Sequence, residues 1–225
     1  MSSIQKKLLN GLTGLGLIVF VIVHLAGNLS LFSKNPTAFN TYAKKLHDFG
    51  YLLYVAEIGL LFLFVFHIVS AILVYVSKRR ARKDQYAKTG FAGGKSKKSI
   101  SSISMIYTGI ILLAFVVWHV ISFRFGPGID DGYVTEIKGE QARDLHRLVY
   151  EYFTDPLYVI IYVVVMILLG LHLRHGFWST FQTLSLNNPK YSSLIYTAGL
   201  LFAILMAAGF LLIPVWIYFS GNGGI

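Results

Sequence analysis

The chain has 225 residues, 55% of them hydrophobic and only 13% charged, and its net charge of +10 is concentrated in one connection between apolar stretches. It contains no cysteine, which excludes disulfides, covalent attachment of a prosthetic group through Cys-x-x-Cys-His, and thiolate-held iron–sulfur clusters. A Gly-x-Gly-x-x-Gly fingerprint and a phosphate loop are also missing, so nucleotide, flavin or iron–sulfur chemistry would belong to another polypeptide.

Crossing a hydrocarbon layer of about 30 Å takes roughly 20 helical residues. Five stretches are long and apolar enough: Leu12–Phe32, Tyr51–Val76, Ile103–Phe123, Leu157–Phe181 and Leu194–Phe219. The first lacks the short apolar region and small-residue cleavage site of a signal peptide, so it is expected to be a retained helix carrying His24. His47 and Asp48 precede the second span, which holds Glu57 and His67. The connection that follows sets Lys78, Arg79, Arg80, Arg82, Lys83, Lys88, Lys95, Lys97 and Lys98 against the single acid Asp84. The third span carries His119, and the connection after it, Arg124 to Pro156, is mainly acidic and contains His146. His172 lies in the fourth span with His175 three residues on, whereas the fifth has no histidine and one interior proline, Pro214. The expected fold is all-α: a polytopic membrane protein forming one transmembrane domain over residues 1–225, with a bundle built from the first four helices.

Lys and Arg mark cytoplasmic loops, so the basic connection, with Lys6 and Lys7, puts the N-terminus inside and the C-terminus outside. Positive-inside topology accounts for the basic run without nucleic acid; contact with membrane lipid is expected.

A polar ring in hydrocarbon is costly and marks a functional group by default. Four such rings, one on each of the first four helices, can supply two axial pairs for two haem irons. Depth decides the pairing. His24 and His119 lie late in outward-running helices, in the outer half of the membrane, while His67 and His172 precede the inner ends of inward-running helices. The expected pairs are therefore His24 with His119 and His67 with His172, with His175 a competitor for the fourth place because it shares nearly the same helix face. Irons with both axial positions filled leave no site for oxygen or substrate and pass electrons. The plainer alternative is that each histidine hydrogen-bonds a neighbouring helix. His47 and His146, outside the spans, are expected to be solvated loop residues or to line an outer pocket.

Glu57 is the one acid well inside a span, about one and a half turns from the outer end. Quinone reduction needs protons as well as electrons, which makes Glu57 a candidate proton-transfer group, with His47 and Asp48 as a relay from water. The alternative is that Glu57 only hydrogen-bonds a neighbouring helix or a haem propionate.

Several segments resemble a known family: "VHLAGNLSLF" followed by "AFNTYAKKLH" in and after the first span, "FHIVSAILVYVSKRRARKDQY" at the end of the second, and "GLHLRHGFWSTFQTL" in the fourth. Together with the histidine spacing they resemble the single-chain, two-haem cytochrome b anchor of succinate:quinone oxidoreductases (succinate dehydrogenase or fumarate reductase), over nearly the whole chain. The resemblance implies one ligand from each of the first four helices, with His172 rather than His175 as the fourth, and two b haems. It also implies a flavoprotein and iron–sulfur unit on the cytoplasmic face of a bacterial membrane, and a quinone, often menaquinone, reacting near the outer haem. The nearest alternative keeps the haems and changes the partner, as in the anchor of a membrane hydrogenase. A haem-free transporter is the third reading; it expects intramembrane carboxylates and broken helices.

Overall fold

The computed structural model describes residues 2–33, 35–80, 104–186 and 188–221. Of the basic connection, Arg82, Lys83, Asp84, Lys88, Lys95, Lys97 and Lys98 lie outside the described residues.

Among the described residues, seven α-helices and one β-hairpin follow in chain order: α1 Ser3–Asn28, α2 Thr37–Asp48, α3 Tyr51–Arg80, α4 Met105–Phe123, β1 Val134–Ile137, β2 Glu140–Arg143, α5 Leu145–Phe153, α6 Pro156–Thr183 and α7 Ser192–Gly221. Five segments are long and apolar enough to cross a membrane: Ile4–Phe32, Tyr51–Ser77, Met105–Phe123, Pro156–Thr183 and Ser192–Gly221. The first begins eight residues before the expected Leu12. Its start is fixed by a capping box, in which Ser2 Oγ accepts the Gln5 N–H and Gln5 Oε1 accepts the Ser2 N–H. The start of α6 is set by Asp155, whose carboxylate accepts the Leu157 N–H at 2.8 Å, and by Pro156 in the first turn, where its missing N–H costs nothing. Pro214 sits inside α7 and is buried. A membrane helix tolerates the lost hydrogen bond when neighbouring helices cover the site.

The packing order is not the chain order. α3 packs on α1, α1 on α6, and α6 on α4, while α7 covers α6 and reaches α1. α6 is thus the central element, burying Val159, Tyr162, Val165, Met166 and Leu173 along its length. By contrast α3 leaves Leu52, Ile58, Leu61, Phe62, Val65 and Val69 exposed, as a helix solvated by lipid tails can.

One end of the bundle carries a folded cap, built in part from the Arg124–Pro156 connection. The hairpin turns through Lys138 and Gly139, both at positive φ (55° and 82°), the two-residue geometry that matches strand twist and favours glycine. Buried Asn40 of α2 joins the pieces: its Nδ2 donates to Asp144 Oδ1 at 2.7 Å, and its Oδ1 accepts the His146 N–H at 2.8 Å. Lys44 donates to Asp48 on its own helix and reaches Glu140 on the hairpin at 2.7 Å.

Candidate functional site

His24 and His119 each stand four residues before the end of their helix, at the cap end of the bundle. His67 and His172 lie about three turns before the opposite ends of α3 and α6. The structure brings together the partners that depth assigns. The rings of His24 and His119 have centroids 5.8 Å apart at an interplanar angle of 88°, and those of His67 and His172 are 6.4 Å apart at 68°.

Two nitrogen–metal bonds of about 2 Å, plus about 1 Å from each nitrogen to its ring centre, place two axial imidazoles roughly 6 Å apart, centroid to centroid. Both pairs fit that span. A T-shaped aromatic pair falls in the same range, and the spacing fits either arrangement. α1 and α4 have at most marginal backbone contact, and so do α3 and α6. Each ring pair therefore bridges helices that stand two apart in the row α3–α1–α6–α4. Small residues add room beside the rings: a Cβ on Gly14 would lie 3.4 Å from His67 Cε1, and one on Gly109 3.5 Å from His172 Cε1.

Hydroxyl groups stand beside the other ring nitrogen. Thr108 Oγ1 lies 3.1 Å from His172 Nδ1 and within reach of the Ser104 and Met105 carbonyls at 3.1 and 3.2 Å, so its proton has carbonyl acceptors and its oxygen is able to accept from Nδ1–H. Thr13 repeats the arrangement, donating to the Leu9 carbonyl at 2.7 Å and lying 3.5 Å from His67 Nδ1. Both inner rings are thereby able to carry Nδ1–H with the Nε2 lone pair free, the form that binds a metal. His119 Nδ1 lies 2.9 Å from the Tyr162 hydroxyl. The Asn28 amide donates to the His24 carbonyl at 2.7 Å and stands 3.5 Å from both ring nitrogens. Thr13, Thr108 and Tyr162 were not identified from sequence. Thr13 and Thr108 each sit on a helix facing the ring they orient, a relation that only the packing order reveals. His175 is half-buried one turn beyond His172. Among the described residues no three histidines or carboxylates converge, so the candidate ligands come in twos.

Glu57 lies at the cap end, 37% exposed, and its carboxylate receives both Nε and Nη2 of Arg124 at 2.7 and 3.2 Å. That bond holds the Arg124 guanidinium above its ordinary pKa, with burial opposing. His47 is exposed at the end of α2, and Asp48 is engaged by Lys44. Among the described residues no hydrogen bond links either of them to Glu57. His146, expected to be a solvated loop residue or to line an outer pocket, is helical, half-buried and stacked on Tyr150 at 4.2 Å. Arg143 closes the end of α4 by donating to the carbonyls of Phe123, Gly126 and Pro127 at 2.8–3.0 Å, where a cation also meets the helix dipole favourably.

No protein-family model, curated protein or solved structure matches the chain.

Proposed function

We propose that this chain is the membrane anchor and electron-transfer subunit of a quinone-linked complex, binding one b haem between His24 and His119 and a second between His67 and His172. One observation carries the reading: in both pairs, imidazoles about 6 Å apart face each other from helices that have at most marginal backbone contact. With both axial positions filled, such a group supplies one-electron transfer and offers no open position to oxygen or substrate.

The protein's part is to hold and orient. Thr13 and Thr108 stand beside the Nδ1 atoms of one pair, and α6 contributes His172 to that pair and Tyr162 to the other. At the cap end, where the His24–His119 pair also lies, the Glu57–Arg124 ion pair supplies a charged group for exchanging protons with a quinone such as menaquinone. With no redox motif for substrate chemistry in the sequence, the catalytic partner is a separate flavin and iron–sulfur unit. Following the resemblance, it oxidises succinate or reduces fumarate and docks on the basic face.

Haem analysis tests the reading. Acid acetone should extract about two b haems per polypeptide; fewer, or haem that resists extraction, refutes it. His119→Ala and His172→Ala should each remove one haem and spare the other. Loss of the second haem in His175→Ala, with His172→Ala unaffected, would move the fourth ligand. Co-purification with a flavoprotein supports the partner; a nickel–iron subunit instead would replace it.

A further inference from the structure

The two ring pairs are oriented by different chemistry. At the inner pair, each histidine Nδ1 lies within 3.5 Å of a threonine hydroxyl that also has backbone carbonyls one turn back to take its proton, so each oxygen is free to accept from Nδ1–H. At the outer pair, His24 has only the Asn28 amide, equally distant from both ring nitrogens and therefore not directional. The single short hydrogen bond to that pair comes from Tyr162, at 2.9 Å from His119 Nδ1.

Tyr162 is buried, and its hydroxyl has no second hydrogen-bond partner among the described residues. Its ring is held edge-to-face by Phe115 and Phe153, with centroids 4.9 and 4.8 Å away, so the phenol cannot swing aside. A phenol oxygen accepting from Nδ1–H makes the imidazole a stronger electron donor through Nε2 and stabilises the oxidised metal. A threonine oxygen polarised by its own bond to a carbonyl accepts more strongly than a phenol without such an outlet.

Building on the dihaem reading, we propose that Tyr162 is the positioning residue of the outer pair. With Nε2 committed to the metal, His119 carries its proton on Nδ1, and the Tyr162 hydroxyl accepts it, holding the ring and setting the electron affinity of that centre independently of the inner one. Tyr162 touches neither metal nor substrate; it acts through His119.

The test uses the full-length protein with its haems. Tyr162→Phe keeps the ring and removes the hydroxyl, while Thr108→Val does the same for the inner pair. Redox titration followed optically, with low-temperature electron paramagnetic resonance, resolves two low-spin centres. Tyr162→Phe should raise the midpoint potential and shift the low-field signal of one centre, leaving the other unchanged; Thr108→Val should do the converse. Selective loss of the outer haem in Tyr162→Phe, with the inner retained, also supports the proposal. An outer centre with unchanged or lowered potential overturns it, as does loss of both haems together, because the effect would then not be confined to one pair. Wild-type protein that binds no haem refutes the dihaem reading itself, a result distinct from any of these.

Discussion

A carboxylate one and a half turns into an apolar helix must find a partner, and Glu57 finds Arg124 in a two-point ion pair. At this exposure such a pair stabilises the fold by about 0–1 kcal/mol. Glu57→Gln, which keeps the shape and removes the charge, should therefore leave folding and haem content intact. If the carboxylate exchanges protons with quinone, the variant should lose quinone-linked turnover while succinate oxidation with an artificial dye continues. Undiminished quinone turnover would make Glu57 structural. Glu57 was visible in the sequence because charge is expensive in hydrocarbon. Its partner was not, since 67 residues separate them and only the meeting of the outer ends of α3 and α4 reveals the pair. The histidines were legible for the same reason as Glu57, and depth was enough to match them without knowing the packing order.

The long helices follow directly from blocked apolar composition, and the described spans differ from expectation mainly at the start of α1. The cap was not legible in this way. α2, the hairpin and α5 are short and polar enough to read as connection, and what makes them a unit is a buried side chain, Asn40, more than 100 residues from its partners. Asn40→Ala leaves the His146 N–H without its acceptor and removes the link to Asp144, a loss of about 1–3 kcal/mol. The cap should loosen first, seen as faster hydrogen exchange in α5, while the spans keep their helicity. A pH dependence belongs to the same element. Burial holds His146 below its ordinary pKa, with Asp144 pulling the other way. A depressed histidine contributes stability that is complete above its unfolded pKa, about 6.5, and is lost as pH falls toward the folded value. Protection of α5 amides, corrected for intrinsic exchange, should decline as pH falls below about 6.5. In His146→Asn that decline should disappear; its persistence would assign the effect to another group.

At the scale of the molecule, the two ends differ in character: a hydrogen-bonded cap at one and, in the sequence, a basic connection at the other. The basic end should face the cytoplasm. Cysteine introduced at Ser99, which lies outside the described residues, should resist an impermeant thiol reagent in intact cells and react in inverted vesicles. Ready labelling of intact cells would reverse the topology. The row of helices has a further consequence, for biogenesis. Under the dihaem reading, two pairs of imidazoles on helices with at most marginal backbone contact are completed by a guest molecule made by a different biosynthetic route. On that reading, cells starved of haem precursor should hold the polypeptide at a fraction of its normal level, cleared by membrane proteases despite unchanged messenger RNA. Haem supply would in this way ration how much of the subunit the membrane contains.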